Sequence, residues 1–209
     1  GNRDPAELDP FLLFDHFGSS NPDDYMLGFP WHPHRGIETV SYMIHGEVEH
    51  SDNIGNKGVI KSGDLQWMTA GSGIIHQEMP KQYNGESLGF QLWVNLPKKD
   101  KMTKPKYCGV KSNLIPIAKI GQGASVKVIS GTLGNITGPV KDICADIEYL
   151  DISLEPKAEF SHRTKADYSA FAYVFQGEAY FGKTGKRAES GHLVIFSNGE
   201  SISITAGEK

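Results

Sequence analysis

The chain has 209 residues, with 21 Lys and Arg against 25 Asp and Glu, a net charge of −4, 38% hydrophobic and 22% charged residues. That length holds one large β domain or two small ones with ample core, and the balance is that of an ordinary globular protein. Scattered lysines on a slightly acidic chain exclude the basic stripe of a phosphate-gripping protein, so direct nucleic-acid binding is not expected.

From the N-terminus, GNRDPAELDPFLLFDHFG carries no signal-peptide pattern and no apolar run reaches the length of a membrane span. Helical periodicity is nearly absent; only PAELDPF (5–11) and NPDDYM (21–26) invite it. Short apolar runs separated by glycine turns then fill the rest of the chain. IETVSYMI, GEVEH, KGVIK, DLQWMTA, GIIHQE and LGFQLWVNL come first, then SVKVISG, DIEYLDISL, SAFAYVFQ, EAYFG, HLVIF and SISIT. Most alternate or are rich in Val, Ile, Tyr and Phe, which predicts an all-β protein of sandwich or barrel type. LPKKDKMTKPK (96–106), the one basic cluster, reads as a solvated loop. Cys108 and Cys144 form no CxxC pair and read as reduced thiols of an intracellular protein, which makes the cytosol the expected compartment. The closing SISITAGEK reads as a strand cut short.

A weak internal repeat organises these runs. IHGEVEH…KSGDLQWM and FQGEAYF…ESGHLVIF share a strand, a Gly-Glu turn, a second strand, then Ser-Gly and another strand. Gly46 corresponds to Gly177 and Gly63 to Gly191, which predicts two similar barrels joined through the irregular stretch from Pro97 to about Gly123. The expected domains are 1–123 and 124–209.

Two short motifs carry the chemistry. His32 and His34 are two residues apart, as are His76 and Glu78, and strand neighbours two apart project to the same face. Strands with facing interiors would bring three imidazoles and a carboxylate together, a donor set suited to Fe, Mn, Co, Ni, Cu or Zn. A lone strand histidine is more often a polar or packing residue, and His16, His45, His50 and His192 are read so. Two such pairs flanking one hairpin unit favour a metal. Pro33 stiffens the first pair, and Gly36 and the AGSGI run let the backbone bend close to it. Glu38 has the same parity as His32 and His34, so it is a second candidate carboxylate, as ligand or as a group orienting a histidine. The repeat supplies a control. The same offsets in the second copy reach Arg163, Lys165, Ile204 and Ala206, with His162 nearby, so only the first half can hold the metal.

HPHRGIETV, GEVEHSDNIGNKGVIKSGDLQWMTAGSGIIHQEMP and GFQLWVNLP resemble the signature region of the pirin family, in the cupin superfamily. LDPFLLFDHFG, KPKYCGV and VKVISGTLGNITGPV extend the likeness through most of residues 8–140. The resemblance implies a bicupin, two β-barrels packed face to face, with a metal-binding N-terminal barrel and a degenerate C-terminal one. It implies one divalent transition ion, Fe(II) first, held by His32, His34, His76 and Glu78, with Glu38 behind the ligands. Pirins usually extend beyond both termini seen here. Two roles are implied by the family. The first is dioxygenation of flavonols such as quercetin, of the 2,4 type with dioxygen as co-substrate and release of carbon monoxide; Glu78, a neighbour of the metal with a spare oxygen, is the candidate catalytic residue to accept the hydroxyl proton. Trp67, Phe90 and Trp93 are candidate walls for the flat ring, their strand parity undecided. The alternative is a non-enzymatic, metal- or redox-responsive protein that binds a protein partner as a transcriptional or metabolic regulator; a metal-dependent sugar isomerase ranks third. A monomer is expected.

Overall fold

A computed structural model describes residues 8–208. Apart from two single-turn 3-10 helices, Pro22–Asp24 and Ser112–Leu114, the regular structure among these residues is strand. No helix among them is long and apolar enough to cross a membrane. The chain folds as two compact units, one built from 9–115 with 139–147, the other from 116–138 with 148 onward.

The first unit contains nine strands: β1 (Phe11–Ser19), β2 (Phe29–His34), β3 (Ile37–His45), β4 (Glu47–Asp52), β5 (Lys57–Lys61), β6 (Leu65–Thr69), β7 (Ile74–Pro80), β8 (Ser87–Asn95) and β9 (Lys106–Val110). They form a five-stranded sheet in the order β1-β8-β3-β6-β9 and a four-stranded sheet in the order β2-β7-β4-β5, with antiparallel pairing throughout. One end of the interior is closed by Met43, Val48 and Ile60 under Phe17, the other by Ile37, Met68, Ala70 and Ile74 against Trp93 and Tyr107. β3 is buried on both faces from Ile37 to Met43, and in IETVSYM the only charged side chain is Glu38.

The expected strands are largely present, and the omissions have local causes. β1 was not expected, because FLLFDHFGS buries residues three apart rather than two; a register irregularity between Phe11 and Leu13 in its pairing with β8 breaks the alternation. The helical tendency of PAELDPF ends in a turn over 9–10, while its residues 5–7 lie outside the described ones. NPDDYM does turn helically, for three residues, with the Asn21 side chain accepting from Asp23 N at 3.3 Å. The basic stretch 96–105 is a loop, as expected, but not a passive one. Lys101 Nζ donates to Gly36 O (3.0 Å) and Asn95 Oδ1 (2.7 Å), and so clamps the turn between β2 and β3.

The second unit pairs Ile117–Ile120, Ala124–Ser130 and Tyr149–Leu154 in one sheet, and Glu159–Arg163, Ser201–Ala206, Glu178–Phe181 and Lys186–Glu189 in another; Phe171–Val174 pairs with His192–Ile195. Its core is apolar, with Val126, Val128, Phe160, Phe181 and Ile204 at its centre. The repeat is visible in the backbone. Gly46, Gly63, Gly177 and Gly191 all have positive φ (100°, 79°, 72° and 86°), a conformation that favours glycine.

The turn after β2 depends on a close backbone approach. Gly36 N donates to Gly71 O (2.8 Å), Ser72 N donates to Thr103 O (2.8 Å), and Gly71 has φ 52° with a Cβ position only 2.1 Å from Thr103 O. Gly71→Ala therefore forces the backbone apart and is expected to cost about 3 kcal/mol in chemical denaturation, combining left-handed strain with an unrelieved clash. A loss below about 1 kcal/mol would show that the 97–105 loop gives way freely.

Candidate metal centre

β2 and β7 are adjacent antiparallel strands whose register sets His32 directly opposite His76 and His34 opposite Ile74. Both histidines of β2 project to the interior, because their intervening residue, Pro33, faces out and is exposed. Ring centroids lie 4.7 Å apart for His32 and His34, 4.5 Å for His32 and His76, and 5.0 Å for His34 and His76. One ring nitrogen from each of the three falls within 4.8 Å of the other two.

The protonation pattern suits a cation. His32 Nδ1 sits 2.7 Å from Pro30 O, and a carbonyl only accepts, so Nδ1 carries a proton and Nε2 is the nitrogen left to face the other rings. That Nε2 is 3.0 Å from His34 Nε2. Burial, then the neighbouring His76 and His32, push the His34 pKa down to about 4; burial, His32 and His50 do the same to His76. Both rings are neutral near pH 7. His76 is 1% exposed, yet neither of its ring nitrogens has a hydrogen-bond partner. A buried imidazole without partners is costly. Convergence of three imidazoles on one point, with His34 and His76 neutral and the His76 ring orphaned, fits a first-row divalent ion, which would give one nitrogen of that ring a partner.

Glu78 is the next same-face residue of β7 after His76 and is 4% exposed. It stands outside the three-nitrogen cluster. Its Oε1 accepts from Ser41 Oγ (2.8 Å) and its Oε2 from Gln91 Nε2 (2.7 Å), with Trp93 Nε1 donating in turn to Gln91 Oε1 (3.0 Å). Each carboxylate oxygen keeps a free lone pair. On β4, His50 pairs across from Glu78 and Asp52 from His76, so both share the interior with the triad. The ring of His50 stacks on Tyr107 (5.6 Å, 28°) in space left open by Gly58, where a Cβ would sit 2.5 Å from His50 Nε2.

Residues 2–94 match the family model for pirin, and residues 149–209 match the model for the pirin C-terminal cupin domain. A pirin-like protein of Caulobacter vibrioides is 41% identical over 207 residues, spanning 99% of this chain and 74% of the relative. The chain belongs to the pirin family. A Pseudomonas aeruginosa protein with the provisional name quercetin 2,3-dioxygenase is 37% identical over 223 residues, covering all of this chain and 78% of its own length. A crystal structure of quercetin 2,3-dioxygenase from Acinetobacter baumannii superposes with a TM-score of 0.87 at 32% identity, covering 97% of this chain and 72% of that one. Both units are accordingly the two cupin barrels of a pirin.

His32, His34 and His76 come together; Glu78 lies beside them on Ser41 and Gln91. Glu38 does not join them in either expected role. A turn at Arg35 and Gly36 (φ 69°) ends β2 before β3 begins, and β3 belongs to the other sheet, so parity does not carry across. Glu38 pairs with Thr69 and faces away from the histidines, with Oε1 accepting from Thr69 Oγ1 (2.7 Å) and Cys144 N (3.3 Å). A cleft of about 420 Å³ opens on that same opposite face, lined in part by Trp67, Thr69 and Ile143; its size does not make it the reactive site, because it gathers no cluster of metal-ligating groups. Of the expected walls, only Trp93 is on the inner face, edge-on to His34 at 4.9 Å (82°). Trp67 and Phe90 have the other parity, and Phe90 stacks on Phe14 (5.5 Å).

His50, read from the sequence as a polar or packing residue, is an interior neighbour of the site, and Ser41, Gln91 and Asp52 carry no signal in the spacing of the two motifs. Alternation within IETVSYMI and LGFQLWVNL could have flagged Ser41 and Gln91 as polar residues in buried strands. The second-copy count also needs adjustment. Phe160 pairs with Ile204 and His162 with Ile202, as His32 pairs with His76 and His34 with Ile74. The upstream offset is thus three residues longer than counted, and Phe160 and His162 take the places of His32 and His34. His162 contacts Glu148 (3.1 Å). Among the described residues, the His32, His34 and His76 group is the only such cluster.

Metal analysis of purified variants checks this placement. Glu38→Gln and His162→Ala are expected to retain the wild-type metal content, whereas His76→Ala loses it. A metal-free but folded Glu38→Gln protein would contradict the outward orientation of that side chain.

Proposed function

We propose that this pirin is a metal-dependent flavonol dioxygenase of the quercetinase type, with one divalent transition ion, Fe(II) by first choice, on His32, His34, His76 and Glu78. The observation that carries the reading is the convergence of three imidazoles beside a buried, hydrogen-bonded carboxylate. The quercetin 2,3-dioxygenase names of the relatives support the substrate class, a flavonol, with dioxygen as co-substrate; the reaction breaks the heterocycle and expels carbon monoxide, which is 2,4-dioxygenation by the positions of the bonds cut. The ion, when bound, would supply Lewis acidity to the 3-hydroxyl and 4-carbonyl of the flavonol and so lower the hydroxyl pKa.

The side chains do the rest. His32 is held by Pro30 O in the tautomer that offers Nε2, which spares the site a reorganisation on loading. Glu78 accepts the hydroxyl proton at Oε1, because Ser41 can turn its hydroxyl from donor to acceptor there. Oε2 cannot take it as readily, since the facing Gln91 Nε2 only donates. Trp93 presents an aromatic edge at His34 and gives the flat substrate an apolar wall. Positioning of this kind commonly accounts for a large share of the barrier reduction.

Freshly purified protein should contain about one transition ion per chain. Incubated with quercetin, it should bleach the visible absorbance in air but not under argon, and a chelator or Glu78→Ala should lower the rate by about 100-fold or more. Stoichiometric metal without turnover of any flavonol would overturn the dioxygenase reading and leave the metal-responsive, partner-binding one.

A further inference from the structure

We infer that Gln91 is a positioning residue for Glu78, and that the indole N–H of Trp93 locks the Gln91 amide in the one orientation that serves it. This rests on the proposed metal centre, whose carboxylate it concerns.

The two ends of a glutamine amide are nearly alike in shape, and hydrogen bonding decides which way it points. Here the choice is forced from one side. Trp93 Nε1 can only donate, so the Gln91 atom 3.0 Å from it must be the oxygen. The Nε2 end then faces Glu78 Oε2 at 2.7 Å, with Ser41 Oγ at 3.4 Å as a weaker second acceptor. A flipped amide would set its oxygen against a carboxylate oxygen at that short separation, two acceptors facing each other where Gln91 and Glu78 are 7% and 4% exposed. In so dry a setting the repulsion would turn the carboxylate aside. The same indole lies edge-on to His34. One aromatic side chain therefore touches a ring of the triad and, through Gln91, fixes the carboxylate, tying β8 of one sheet to β7 of the other. Glu78 holds a defined place beside three imidazoles because of what stands behind it.

The test separates the amide lock from the metal centre. In metal-free protein, the Trp93 indole proton should give a hydrogen-bonded, exchange-protected NMR resonance that shifts and loses protection in Gln91→Met. Co(II) titration then reads the site, through its d–d absorption. Gln91→Met should weaken Co(II) binding 10- to 100-fold and alter the band, as loss of a partner behind a ligand does. Trp93→Phe, which keeps the ring but not the N–H, should weaken it less, and should add no further loss in the Gln91→Met background. Circular dichroism confirms that each variant is folded; if Gln91→Met is not, Trp93→Phe alone must still perturb the band. Unchanged Co(II) affinity and spectrum in folded Gln91→Met, or additive losses in the double variant, would overturn the inference while leaving the metal centre intact. Wild-type protein that binds no Co(II) would remove the metal-centre reading and this role with it.

Discussion

The antiparallel register between β2 and β7 is the constraint on which the site depends. It sets His32 opposite His76, and because side chains alternate along a strand, His34 comes to the same face two residues later. A slip of β2 by one residue would turn His32 and His34 outward, away from His76, and bring Trp31 and Pro33, now exposed, into the interior. The register is held from outside the pair as well. Gly36 bonds to Gly71, Lys101 closes over Gly36, and Asn53 Oδ1 accepts from Ile75 N at 3.0 Å. These contacts belong to loops, yet they decide where the imidazoles point.

Desolvation gives the cluster its chemical character. Three imidazoles this close cannot all be protonated in a buried site, so the folded protein keeps His34 and His76 as neutral bases down to pH values where free histidine is fully charged. Polar residues that would be awkward in an ordinary core are arranged about them in pairs and chains. Ser41 and Gln91 meet Glu78, Trp93 meets Gln91, and Asp52 accepts from Ile54 N, Asn56 N and Asn56 Nδ2 at the tip of its hairpin. The interior of this barrel carries polar groups from both sheets between apolar ends closed by Met43, Val48, Ile60, Met68 and Ile74.

The second barrel shows what the same architecture becomes without ligands. Phe160 and Ile204, opposite each other in the ladder, occupy the places of His32 and His76 and join an apolar core. His162 remains at the place of His34, but a single half-buried imidazole beside the exposed Glu148 is an ordinary polar contact near the surface. With Phe160 and Ile204 where the first barrel has two imidazoles, the strand pair packs as apolar core, and glycine turns with positive φ are present in both barrels because the backbone needs them.

The range of the forces involved set how much of this was legible along the chain. Short alternating runs between glycine turns established an all-β chain, and the spacing of His32 with His34 and of His76 with Glu78 established two same-face pairs, because both depend on neighbours within one strand. The pirin signature added which pairs belong to one site. What happens across a turn was not legible. Glu38 shares its parity with His34, but the left-handed Gly36 starts a new strand in the other sheet and turns it toward Thr69 and Cys144. Ser41, Gln91, Trp93 and His50 come from three strands that meet only when the two sheets close on each other, and no spacing along the chain encodes that meeting. The order of residues therefore named those able to ligate a metal, and folding selected the ones that face one another, because side-chain direction is local and convergence is not.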